Sequence, residues 1–161
     1  MEIIKHLLET TKIKDVMTSS VVTVYDDDDF SLVYEKFLNK RVSHILVIDH
    51  GEKLVGLVSP KYFYKTQSPR RVINPNDMDY DPDMITDGEI FYEKDTLDSY
   101  ILNKVMMKDP FTLTPDDPLT KGIIEMSLRN VSCIPIVYPD RKIAGALHEK
   151  EIVRFLAKII S

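Results

Sequence analysis

The chain has 161 residues, a formal net charge of −5, 43% hydrophobic and 29% charged residues, and a single cysteine. That length buries roughly 70% of the surface an unfolded chain exposes, enough for one domain or two small repeats sharing a core. No apolar run approaches the roughly 18 residues of a bilayer span, the acidic balance disfavours nucleic acid as a polymeric partner, and lone Cys133 cannot close an internal disulfide; a soluble cytoplasmic protein with no membrane association is expected.

Residues 1–12 read as a short helix with Ile3, Ile4, Leu7 and Leu8 on one side, lacking the basic start and cleavage site of a signal peptide. The irregular segment Asp15-Val16-Met17-Thr18 leads into a strand over Val21–Tyr25. The acids Asp26–Asp29 then read as helix-start residues in preference to a metal site, because neighbouring carboxylates repel. The helix itself follows in Phe30, Val33, Tyr34, Phe37 and Leu38, spaced i, i+3, i+4, i+7, i+8. Apolar runs around Ile45–Ile48 and Leu54–Val58, divided by a turn, read as two strands, and Ser59-Pro60 opens a brief helix to Thr66.

The segment 67–100 is rich in Pro, Asp and Asn and reads as a solvated spacer, with Ile90, Phe91 and Tyr92 able to pin it to the body. Aspartates 77, 79, 81 and 83 alternate like a calcium loop, but Pro82 stands where the sharp turn needs glycine, and Gly88 where the loop needs its glutamate. Beyond it the first pattern returns 89 residues later, so that Val42–Ser59 aligns with Val131–His148 without a gap. Lys104-Val105-Met106-Met107 leads in, Asp117-Pro118 starts a helix carrying Leu119, Ile123 and Met126, and Gly122 and Ser127 leave room for a close neighbour. Strands over Ile134–Val137 and Ile143–Leu147 precede a helix with Ile152, Val153, Phe155, Leu156, Ile159 and Ile160 on a broad apolar face. The fold class is α/β (α+β): two β-α-β-β-α repeats, 13–66 and 101–161, packed about a pseudo-twofold axis.

The doubled motifs, Asp15–Thr18 with Lys104–Met107, Val42–Asp49 with Val131–Tyr138, and Gly56–Ser59 with Gly145–His148, resemble the tandem CBS-domain pair, the Bateman module. The resemblance implies a regulatory module without catalytic activity, and no nucleophile, base and orienter stand at a recognisable spacing. It also implies a cleft in each repeat, where adenine lies against the lead-in segment and the start of the central strand. The positions concerned are Thr18, Ser43 and His44, together with Met107, Ser132, Cys133 and Ile134. A Ser or Thr then faces the phosphate, and an Asp three residues later accepts the ribose hydroxyls.

Both copies depart from that pattern. The first has Ser59 but Tyr62 in place of the acid; the second has His148 for the hydroxyl and Glu151, longer by one carbon, for the Asp. Glu149 and Glu151 oppose a triphosphate, whereas Lys150, Arg154 and Arg129 can offset a single phosphate, so adenosine, AMP or S-adenosylmethionine is expected over ATP, in the second cleft. His44 and Cys133, at equivalent places, are too few for a zinc site and read as pocket-wall or core residues. The expected protein is a homodimer joined through helices such as 152–160, needing no cofactor and acting on an effector protein in trans. The alternative is a ligand-free interaction scaffold with degenerate clefts.

Overall fold

The computed structural model describes residues 2–60 and 101–160, with side chains from residue 4 onward. The expected helix to Thr66, Tyr62, the spacer 67–100 and its anchor Ile90–Tyr92 lie outside the described residues, as does the side chain of Ile3. The first half contains α1 (Glu2–Thr10), a 3-10 turn (Ile13–Asp15), β1 (Thr23–Tyr25), α2 (Phe30–Lys40), β2 (Ile45–Ile48) and β3 (Leu54–Val58). The second contains α3 (Leu102–Val105), β4 (Met107–Lys108), α4 (Leu119–Arg129), β5 (Cys133–Val137), β6 (Ile143–His148) and α5 (Glu149–Ile160). It is a mixed helix-and-sheet fold in which the same unit occurs twice.

The helices form where the apolar spacing demands. Phe30, Val33 and Phe37 are buried on α2, and Leu119, Gly122 and Met126 on α4. Both helices end on a left-handed residue, Arg41 and Asn130, and asparagine adopts that conformation more readily than arginine. At Gly122 an added Cβ would lie 2.6 Å from Leu147 Cδ2, so its lack of a side chain is what lets β6 approach α4. The acids before the helices do not cap them. Asp28 Oδ2 instead accepts from the Tyr25 amide at 2.8 Å, and its counterpart Asp117 from the Thr114 amide, also at 2.8 Å. These carboxylates fix the preceding turn, while Asp29 and Pro118 occupy the cap positions without a side-chain bond.

Four strands form one sheet in the order β1-β2-β3-β4, with β1 parallel to β2 and the other pairs antiparallel; β5 and β6 form an antiparallel pair. The counterpart of β1 in the second half shrinks to a single bridge, Leu113 to Ile136, because Pro110 and Pro115 bracket it and supply no amide donors.

The lead-in segments cross over. Met107 of the second half pairs with Leu57 of the first, and Thr18 of the first bridges Ala146 of the second. Ile13 is fully buried against Leu119, Ile134, Ile136 and Leu147, whereas Leu102 is buried with Val24, Phe30, Val33, Ile45 and Val47. Between the two halves Leu46, Leu54, Leu57 and Val137 form a third cluster, flanked by Val21, Met107 and Ile143. The polar edge of this contact is closed by Arg141, whose carbonyl accepts from the Leu54 amide at 3.0 Å and whose guanidinium donates to the Leu54 carbonyl at 3.1 Å.

Candidate functional site

Among the cavities of the described residues, two open beside this shared contact and hold most of the expected site residues. The larger, about 650 Å³, has apolar walls from Leu57, Met107, Met126 and Ile152 and polar groups from Ser59, Asn130, Ser132 and Glu149. The smaller, about 230 Å³, is lined by Thr18, Ser43, His148, Lys150, Glu151 and Arg154 among others. His44 and Cys133 face both. Of the expected contact residues, Ile134 lines neither; it is buried in the second core.

Each polar group is set by its element. Ser59 follows β3 directly and is 7% exposed, and its Oγ has no hydrogen-bond partner among the described residues. Cys133 begins β5 and His148 ends β6, and the strand register pairs the two. Burial, with the Glu151 carboxylate adding to it, pushes the Cys133 thiol up to about 12, so the group is a neutral wall of both cavities. Burial likewise lowers the His148 pKa, with Glu151 opposing the shift, and favours the neutral ring.

Glu151 lies in the first turn of α5 and is 9% exposed. Its Oε1 is 3.5 Å from Arg154 Nη1, and its Oε2 is 3.3 Å from His148 Nδ1. The second approach falls short of hydrogen-bond geometry and leaves both atoms without a partner among the described residues. The carboxylate thus faces groups of its own repeat as well as the smaller cavity. Arg129 is engaged elsewhere: its Nε lies 2.7 Å from Glu125 Oε2 and its guanidinium stacks 3.7 Å over the Phe111 ring, so it does not offset the cavity acids.

The sequence reading missed Met126, Asn130 and Ile152 as cavity residues. Ile152 was expected on a dimer face, yet it points inward, while Val153, Ile159 and Ile160 remain exposed on α5. A broad apolar face on a helix does not reveal which sector meets the core. Asn130 carried one usable signal, its place at the end of α4 where a left-handed residue is needed. The fold also brings His148 beside His44 and Cys133, a third nitrogen or sulfur ligand that the sequence spacing does not reveal.

Known proteins match this arrangement. A family model described as the CBS domain matches residues 13–66 and 102–158. A homoserine O-acetyltransferase of Methanohalobium evestigatum is 21% identical over 154 residues, which is 96% of this chain but 26% of that protein; the chain spans about a quarter of the length of the curated relatives it matches. The crystallised CBS domain pair of protein MJ0100, in complex with 5′-methylthioadenosine and S-adenosyl-L-methionine, has a TM-score of 0.69 at 17% identity and covers 92% of this chain and 98% of its own. CBSX2 in complex with AMP has a TM-score of 0.70 at 19% identity, covering 93% and 98%. Among the described residues no helix is long and apolar enough to cross a membrane. With both repeats matched and the whole fold shared, the chain belongs to the CBS domain family as a tandem pair.

Proposed function

We propose that the chain is a regulatory module that binds an adenosine-type compound, preferring adenosine, AMP or S-adenosylmethionine to ATP, and acts on a partner protein in trans. The observation that carries this reading is the 650 Å³ cavity, of a size that suits a nucleoside, with apolar walls and the buried Ser59 hydroxyl, unpartnered among the described residues, at the position the family pattern gives to a phosphate contact; this is the cleft of the first motif, not the second cleft of His148 and Glu151 to which the sequence pointed. Glu149 faces the same space and disfavours a triphosphate. The solved structures bound to 5′-methylthioadenosine with S-adenosyl-L-methionine and to AMP support the ligand class. Leu57 and Ser59 come from one repeat and Met126 and Ile152 from the other, so a ligand touching both biases their relative packing by its differential affinity. The exposed apolar residues Val153, Ile159 and Ile160 suit a homodimer contact. We propose no catalytic reaction for the chain.

Isothermal titration calorimetry of the full chain with adenosine, AMP, ADP, ATP, S-adenosylmethionine and 5′-methylthioadenosine tests the reading. Saturable binding of the neutral or singly phosphorylated compounds, weaker for ATP, is expected. Folded protein that gives no heat with any of them refutes it. The scaffold reading is favoured by one observation among the described residues, the ion pair of Glu151 with Arg154 beside the smaller cleft. Thr18, Ser43, His44, Lys150 and Glu151 then serve the contact between repeats in place of a second nucleotide.

A further inference from the structure

The wall between the two cavities has chemistry that an adenosine-type ligand does not need. One ligand atom from each of His44, Cys133 and His148 lies within 4.8 Å of the others. Two of the three are held by strand register, Cys133 opposite His148, with Cys133 only 3% exposed. His44 comes from the other repeat, just before β2, and its ring lies 5.4 Å from that of His148. Two serines attend it, Ser43 Oγ at 3.0 Å from Nδ1 and Ser132 Oγ at 3.5 Å from Nε2, so whichever nitrogen faces an ion, the other retains a polar neighbour to orient the ring.

A second observation points to a missing ligand. His148 Nδ1 and Glu151 Oε2 are both buried, face each other at 3.3 Å, and have no hydrogen-bond partner among the described residues. Buried polar atoms normally find a partner, and an imidazole with an unpartnered buried nitrogen, next to a thiol and a second imidazole, leaves a donor set open to an electrophile, with the Glu151 carboxylate beside the ring to orient it.

We propose that His44, Cys133 and His148 bind one divalent transition-metal ion of the zinc class between the two repeats, with a solvent molecule as the fourth ligand. Two imidazoles and a thiolate match the borderline-soft preference of zinc and leave one position of its four for solvent, whereas magnesium and calcium require mostly oxygen donors. Tetrahedral zinc sets its ligand atoms roughly 3.3–3.8 Å apart, so side-chain rotation must close the cluster by about 1 Å at its widest. Because His44 belongs to one repeat and the other ligands to its neighbour, the ion joins the two, and it sits in the partition that both cavities share. The site does not depend on the nucleotide reading.

Full-length protein stripped with a chelator and titrated with cobalt(II), then displaced with zinc, tests the site without any nucleotide. One equivalent of cobalt is expected to give a thiolate charge-transfer band and visible bands of tetrahedral intensity, both abolished by zinc. Cys133→Ser should remove the charge-transfer band. His44→Gln and His148→Gln should each weaken zinc binding by more than the ~10–100-fold that loss of a hydrogen-bond partner behind a ligand costs. His44→Gln is the guard against misfolding, since that residue lies at the edge of its core, and circular dichroism of every variant verifies the fold. The site is overturned by folded protein that neither develops the bands nor binds zinc, by a charge-transfer band that survives Cys133→Ser, or by affinity indifferent to His44→Gln.

Discussion

Thr18 and Ala146 bond to each other twice through the backbone: the Thr18 amide donates to the Ala146 carbonyl at 3.0 Å, and the Ala146 amide returns a bond to the Thr18 carbonyl at 2.9 Å. Eighty-nine residues along, Met107 pairs with Leu57 at the equivalent place. The first repeat is therefore finished by a strand from the second and the second by a single bridge from the first, and the cavities lie beside these crossings.

The two crossings differ in tolerance. A Cβ on Gly145 would run into the Thr18 carbonyl oxygen, a backbone atom that cannot step aside, whereas a Cβ on its counterpart Gly56 would meet only the flexible Met106 thioether. Gly145→Ala is expected to destabilise by about 1–3 kcal/mol and Gly56→Ala by clearly less. Urea denaturation of the two variants side by side checks the order; equal losses would contradict it.

Ile13 precedes the first repeat motif but is fully buried in the core of the second. Ile13→Ala should cost about 2–5 kcal/mol, and Leu102→Ala, its mirror in the first core, a similar amount. Hydrogen exchange of Ile13→Ala should show protection lost first around α4 to β6, not around α2 and β2.

Ser59→Ala removes a buried hydroxyl that has no partner among the described residues, so the ligand-free protein should be unchanged or up to about 1 kcal/mol more stable. The same change should weaken AMP by about 1.5–3 kcal/mol, roughly 10–150-fold, and adenosine by much less, because hydrogen bonds to charged groups are the stronger. Calorimetry of both ligands against both proteins separates the effects.

His50 Nε2 lies 3.0 Å from Asp27 Oδ2, and its ring stacks on Tyr25 with centroids 4.9 Å apart. The hydrogen bond that His50 donates to Asp27, and then the charge of Asp27, raise the His50 pKa above 6.5, while the same bond lowers that of Asp27 below 3.8. The histidine's contribution to stability is complete below its unfolded pKa and fades as pH rises through the raised folded value. The aspartate's is present above its unfolded pKa and fades as pH falls through the lowered one. The pair therefore supports the fold in the acidic range between the two folded values. An NMR titration should place the His50 midpoint above 6.5 in the native protein and shift it down in Asp27→Asn; an unmoved midpoint would remove the pair from the account.

How legible this was varied by residue. Helix α2 could be read from Phe30, Val33 and Phe37 because a period of 3.6 needs no partner to be visible, and β5 and β6 from two apolar runs of strand length. The acids at 26–29 misled in part. Helix-start composition is the same whether Asp28 caps forward or, as here, turns back to the Tyr25 amide. The cavity was half visible: Ser59 and Met107 follow from the repeat and its resemblance, but Ile152 and Asn130 owe their places to the packing of one repeat against the other.

The sequence alone determined that the chain contains one unit twice, because a repeat in constant register and the alternation of apolar residues are properties of the string itself. Only the tertiary structure decided which half each lead-in segment completes, which sector of α5 turns inward, and that His44, Cys133 and His148 meet. Those are contacts between residues as far as 128 positions apart, from Thr18 to Ala146, fixed by burial of Ile13 and Leu102 in opposite cores and by strand register across the pseudo-twofold. No local periodicity encodes such distances.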